Sequence, residues 1–178
     1  MSIDLSRGVR VSRTKTNEIT SDIPLSSIGA SYTHIKSLGK SISYETNRIV
    51  MYHSMLESLE GFENAKYIEH AFVGFNRIYN FRPEDKSIRV GVLDLAGNPI
   101  SKLENAPICK ELIVSSTLIT SLEGLPEGIE IIRCGHSTHL KSLQGCPKSV
   151  KLIEVSCAPN LVIDEIHLPE SLEELISE

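Results

Sequence analysis

Apolar positions recur along this chain in a fixed frame. Its clearest copy is Leu93-Asp94-Leu95-Ala96-Gly97-Asn98-Pro99-Ile100-Ser101-Lys102-Leu103, read as L-x-L-x-x-N-x-I-x-x-L. The frame returns as Ala71-x-Val73-x-x-Asn76-x-Ile78-x-x-Phe81 and as Leu112-x-Val114-x-x-Thr117-x-Ile119-x-x-Leu122. Numbered by the first residue of each apolar pair, the series runs Val9, Ile28, Ile49, Ala71, Leu93, Leu112, Ile132, Ile153 and Leu175, a step of 19 to 22 residues. One such unit cannot bury its own apolar side and must stack on its neighbours. Each alternating pair predicts a short strand, at 9–11, 28–30, 49–51, 71–73, 93–95, 112–114, 132–134 and 153–155, with a terminal partial copy at Leu175.

The early copies are degraded. Ile28-x-Ala30-x-x-Thr33-x-Ile35-x-x-Leu38 and Ile49-x-Met51-x-x-Ser54-x-Leu56-x-x-Leu59 keep the frame, while the first copy has Thr16 where an aliphatic is expected. The seventh and eighth carry one extra residue, so Leu140 and Leu161 fall a step late. The predicted core is Ile28, Ile35, Leu38, Ile49, Met51, Leu56, Leu59, Val73, Ile78, Leu93, Leu95, Ile100, Leu103, Leu112, Val114, Ile119, Leu122, Ile132, Leu143, Ile153 and Val155.

In these units the chain resembles the leucine-rich-repeat family. Its later copies are most similar to the short-repeat bacterial class known from secreted effectors, whose unit opens L-P-x-x-L-x-x-L-x-V. The matching stretches are Leu125-Pro126-Glu127-Gly128-Ile129, Cys146-Pro147-Lys148-Ser149-Val150 and Leu168-Pro169-Glu170-Ser171-Leu172. The resemblance covers residues 9 to 178 and implies one solenoid domain over 1–178: about eight repeats and a partial one, a single curved parallel sheet, and short extended or 3-10 returns with little α-helix. Pro126, Pro147 and Pro169 exclude a helical interior from those returns. A parallel β-helix also stacks rung by rung and is the alternative architecture. The ladder position that the family fills with Asn is Asn only at 76 and 98. Elsewhere it is Thr14, Thr33, Ser54, Thr117 and Ser137, and a hydroxyl donates to one carbonyl where an amide satisfies more. A less regular inner ladder is expected.

Net charge is −5, with 18 Lys and Arg against 23 Asp and Glu, which argues against nucleic acid as the main partner. Charge is uneven: Arg7, Arg10, Arg13 and Lys15 open the chain, whereas Asp164, Glu165, Glu170, Glu173, Glu174 and Glu178 close it. An acidic end protects an open sheet edge against pairing. Even so, open solenoid ends offer a route to self-association. No signal peptide or transmembrane stretch is legible, so a cytoplasmic location without membrane contact is expected, delivery into another cell by a signal-less route remaining compatible. Four cysteines lack metal-ligand spacing; Cys134, Cys109 and Cys146 fall on or near core positions and read as small buried residues of a reducing compartment. No cofactor or metal is expected; His53 and His70 without carboxylate support make a poor site.

Residues between and beside the apolar pair project from the concave sheet, where no core requirement dictates them. Between the pair lie Arg10, Val50, Phe72, Asp94, Ile113, Arg133 and Glu154; two places after it lie Arg13, Tyr32, His53, Phe75, Gly97, Ser116, His136 and Cys157. Of nine aromatics in the chain, Tyr32, Tyr52, Phe72 and Phe75 fall on this face in adjacent repeats, with Arg48, Val50, His53 and His70 around them. Aromatics flanked by Arg and His have the composition of a protein-interface hot spot. The expected partner-binding set is therefore Tyr32, Arg48, Val50, Tyr52, His53, His70, Phe72, Phe75, Ile113, Arg133 and His136, with charged residues such as Arg10, Arg13 and Glu154 as a rim. A register shifted by one at Ala71 would instead turn Phe72 and Gly74 inward and leave only Tyr32 and Tyr52.

A catalytic alternative rests on His136 and Cys157, which share a repeat position in adjacent rungs. A His beside a Cys stabilises a thiolate, and Glu111 or Glu154 would orient the His. No phosphate loop, Ser-His-Asp set or spaced carboxylate pair accompanies them. The expectation is a non-enzymatic module gripping another protein through its concave face, as an effector or phage-encoded inhibitor or adaptor acting on a host protein. A structural subunit of a larger assembly is the second reading, and the thiol enzyme is a remote third.

Overall fold

The computed structural model describes residues 9–10, as backbone, and 25–177. Nine strands form one sheet in sequential order: β1 (Val9–Arg10), β2 (Ser27–Gly29), β3 (Arg48–Val50), β4 (Ile68–Phe72), β5 (Arg89–Asp94), β6 (Ile108–Ile113), β7 (Ile131–Arg133), β8 (Leu152–Glu154) and β9 (Glu174–Ile176). Every neighbouring pair is parallel. The register follows the repeat: Val9, Ile28, Ile49, Ala71, Leu93, Leu112, Ile132, Ile153 and Leu175 lie opposite one another in a single row. Thr14, Thr16 and the remainder of the first copy lie outside the described residues.

Each turn of the solenoid contributes one strand and returns without a second. Among the described residues the returns hold only 3-10 turns, at Gly39–Ser41, Phe62–Asn64, Asp85–Ser87 and Glu165–His167. A β-helix would carry further sheets on the returns. The single sheet makes this a leucine-rich-repeat solenoid.

The second residue of each apolar pair lies just past its strand but keeps the ladder going. Met51, Val73, Leu95, Val114 and Cys134 each donate their backbone N–H to the next rung's carbonyl, at 2.7–2.9 Å. β2, β3, β7 and β8 therefore begin one residue before the predicted frame, because the pairing residue ahead of the aliphatic is already in the ladder. β4, β5 and β6 extend further back, where Ile68, Val90 and Cys109 are buried as an added apolar row. The predicted core is buried throughout, from Ile28 to Val155. Ala71 and Val73 are both fully buried, which excludes the shifted register and leaves Phe72 on the open face.

Beneath the strands runs the ladder position, with Thr33, Ser54, Asn76, Asn98, Thr117 and Ser137 all buried. Asn98 donates to the Leu95 carbonyl and to Val73 of the preceding rung, both at 3.0 Å, and accepts from the Ile78 N–H at 3.0 Å. Asn76 bridges rungs in the same way. Thr117 makes one bond, to its own Val114 carbonyl at 2.7 Å. The ladder is thus braced between rungs at Asn76 and Asn98 and also at Ser54, whose hydroxyl bonds the Ala30 carbonyl and Thr33 of the preceding rung, and is looser at Thr117.

Leu95→Ala is expected to cost about 2–5 kcal/mol through lost burial and a cavity, read as a lowered denaturant midpoint. Asn98→Ala strands the buried Ile78 N–H and takes one of two donors from the Val73 and Leu95 carbonyls, and should cost about 2 kcal/mol or more, Thr117→Ala about 1 kcal/mol. Equal losses for these two variants would contradict the bracing role of Asn.

Candidate functional site

The open face is built from columns, because the parallel register repeats each position rung by rung. Arg48 lies beside His70 and His70 beside Val92; Val50 lies beside Phe72, Phe72 beside Asp94, Asp94 beside Ile113, and Ile113 beside Arg133. Strands pair about 4.8 Å apart, so side chains in a column meet.

A third column runs along the corner where each strand turns into its return. Tyr32, His53, Phe75, Gly97, Ser116, His136 and Cys157 all have φ between +52° and +67°. That left-handed conformation costs an L-residue about 1–2 kcal/mol and suits glycine, which stands only at Gly97. The cause is the corner itself. There the backbone N–H of Tyr32, His53, Phe75, Ser116 and His136 is aimed at the next rung's carbonyl, at 2.6–3.3 Å. The following ladder residue is turned inward to be buried. Strain at the corner is thereby offset by paired backbone on both sides.

Three ring-bearing residues occupy successive corners and stack. Tyr32 and His53 lie 5.0 Å apart at 12°, and His53 and Phe75 lie 4.7 Å apart at 13°. The far face of Phe75 covers Gly97, where an added Cβ would meet the ring at 2.5 Å. Tyr32 and Phe75 remain 62% and 48% exposed, so the column presents its ring edges to solvent.

A second aromatic group lies on the strands themselves. Phe72 stacks with Tyr52 at 6.2 Å and touches His70 at 5.6 Å, while the Arg48 guanidinium sits 5.6 Å above its ring. Tyr52 crosses Gly74, where a Cβ would stand 3.0 Å from its ring, and its hydroxyl donates to Asp94 Oδ2 at 2.7 Å. Burial first, and then the accepting Asp94 carboxylate, hold the Tyr52 proton far above the usual phenol range. Asp94 is itself buried, and its other oxygen accepts from the Ala96 N–H.

Eight of the eleven expected binding residues come together here: Tyr32, Arg48, Val50, Tyr52, His53, His70, Phe72 and Phe75. The other three stand apart. Ile113 lies one strand beyond Asp94, half-buried. Arg133 is held between Glu111 at 2.7 Å and Glu154 at 2.6 Å, and hydrogen bonds to Glu111 and then Glu154 raise its pKa. His136 occupies its corner three rungs from Phe75, outside the stack. Asp94, Gly74 and Gly97, which the expected set omits, settle how the aromatics lie. The repeat already placed Asp94 in the Phe72 column, and that was the signal for it.

Both carboxylates considered as orienters of His136 are engaged by Arg133, and neither hydrogen-bonds to the imidazole. No hydrogen bond joins His136 to Cys157. Burial pushes the Cys109 and Cys134 thiols up to about 12 and Cys146 to about 11. Cys157 stands on the open face, where its repeat position puts it. It is exposed, because its corner position points outward. Among the described residues no helix is long and apolar enough to cross a membrane.

Two outcomes follow. Gly97→Ala should destabilise the protein by about 1–3 kcal/mol by straining a left-handed backbone and displacing the Phe75 ring, visible in the unfolding midpoint. A thiol reagent applied to the folded protein should find one fast site, abolished by Cys157→Ser. Rapid labelling that persists when half-buried Cys146 is also replaced by Ser would contradict the burial of Cys109 and Cys134.

No protein-family model and no curated protein sequence matches this chain. Among solved structures it is similar to YopM from Yersinia enterocolitica WA-314, at 19% identity and a TM-score of 0.40, over 89% of this chain and 43% of that one. The chain thus spans less than half the length of that protein.

Proposed function

We propose that this chain is a non-enzymatic protein-binding module that grips a partner protein through the N-terminal half of its concave face. The observation that carries the reading is the paired aromatic surface of Tyr32–His53–Phe75 and Tyr52–Phe72. These rings serve no core, since the core is complete beneath them, and three of them occupy corners where a side chain adds strain. Residues kept in strained, exposed positions are characteristic of contact surfaces. Large, pre-stacked rings also lose little freedom on binding and give anchors of high area.

The reading extends to the whole chain as one repeat domain of the short-repeat bacterial class, acting in the cytoplasm as an effector-like or phage-encoded inhibitor or adaptor. The openings at Leu125-Pro126, Cys146-Pro147 and Leu168-Pro169 support that class. Arg133, tied to Glu111 and Glu154, belongs to the rim, where charges tune encounter rate more than affinity.

Phe72→Ala and Phe75→Ala should each weaken partner binding about thirtyfold, the equivalent of about 2 kcal/mol, with melting temperatures close to the parent. Tyr52→Ala should lose binding to a similar degree but also stability, because it removes the donor to buried Asp94. Calorimetry beside Glu154→Ala makes the comparison. Binding lost by the rim variant and kept by the two Phe variants would place the partner elsewhere on the solenoid.

A further inference from the structure

The two halves of the open face differ in charge. Beyond Asp94 the strand columns carry Glu111–Arg133–Glu154, two carboxylates around one guanidinium and so net negative. Before it lie Arg48 and His70, side by side in the register, and both touch the Phe72 ring. Neither makes an ion pair with a carboxylate among the described residues, although the chain as a whole is acidic. The acid nearest in the columns, Asp94, has both oxygens occupied by Tyr52 and Ala96. The protein therefore leaves a cation and an imidazole unneutralised around an apolar ring.

Ring orientation narrows the occupant. Both faces of His53 are covered by Tyr32 and Phe75, and Phe75 covers Gly97, so from Tyr32 to Gly97 the column leaves no gap into which a nucleobase or a sugar could insert. What the column offers is ring edges, the electropositive rim of an aromatic quadrupole. Edges, guanidinium and imidazole all favour oxygen anions set among apolar groups.

We propose that the concave face docks an acidic, apolar-rich segment of a partner protein, with a partner Asp or Glu carboxylate received between Arg48 and His70 and adjacent apolar side chains lying on Phe72 and Val50. The Glu111–Arg133–Glu154 row repels an acidic segment and fixes its position toward the N-terminal half. This inference rests on the concave-face reading above and specifies its partner by chemistry.

The probe is a display library of random peptides selected on the intact protein, together with a mixed-sequence single-stranded oligonucleotide. The expected result is enrichment of peptides that pair Asp or Glu with Leu, Ile or Phe. Their affinity should fall about tenfold or more with Arg48→Gln and with His70→Gln, the loss expected for one charge-assisted contact. Arg48→Lys should retain much of it, and each variant should melt like the parent. Peptides that are basic or uncharged, yet still lost with Phe72→Ala, would overturn the acidic partner while leaving the concave face as the binding surface. Binding indifferent to Phe72→Ala, or no enrichment at all, would overturn both. Oligonucleotide binding that is equally tight and equally dependent on Arg48 would overturn the protein partner in favour of a nucleic acid.

Discussion

A rung of about twenty residues has one apolar row and too little chain to cover it, so its backbone and its side chains must be completed by the rungs on either side. That constraint shapes everything else in the molecule. The aliphatic pair is buried only because the next pair lies in register above it. The carbonyls leaving the strand are satisfied only because the next rung's N–H groups reach them. Asn76 and Asn98 strengthen this arrangement by donating to carbonyls of two rungs at once, in the centre of the sheet where β4, β5 and β6 are also longest. The best-braced part of the solenoid directly adjoins its aromatic surface.

The corner column shows how the scaffold and the surface are linked. Inter-rung pairing demands a left-handed residue there, whatever the side chain. Gly97 accepts that demand without strain, whereas Tyr32, His53 and Phe75 do not. Their stacking recovers part of the cost through ring contacts, and the remainder is carried by the paired backbone around them. Gly97 and Gly74 have a complementary use: each provides the bare backbone over which a neighbouring ring lies.

Register was legible in the sequence everywhere but at Ala71. A fixed period of alternating aliphatics leaves one way to bury the other pairs at once, whereas the small side chain at 71 also allowed a shift by one. Strand ends were less so. Ile68, Val90 and Cys109 fall outside the frame, and their burial depends on how each return closes. On the surface, the assignment of Phe72 to the open face followed from the repeat and from the burial of Ala71 and Val73. The hydrogen bond from Tyr52 to Asp94 did not, for it skips a rung and depends on the absence of a side chain at Gly74. The ion pairs of Arg133 were only half legible, for a related reason. Its column already placed Glu154 beside it, but the second carboxylate, Glu111, reaches it diagonally from the preceding rung.

The ring column also acts as a ruler. Its marks stand 4.7–5.0 Å apart, the spacing of strands in a sheet. An extended polypeptide advances about 3.3 Å per residue and shows the same side only every second one, at nearly 7 Å. Laid along the solenoid axis, such a chain falls out of step with the rings after a single contact. An extended partner therefore meets the ladder best when it crosses it, so that neighbouring rings grip one stretch of it together rather than being read one after another.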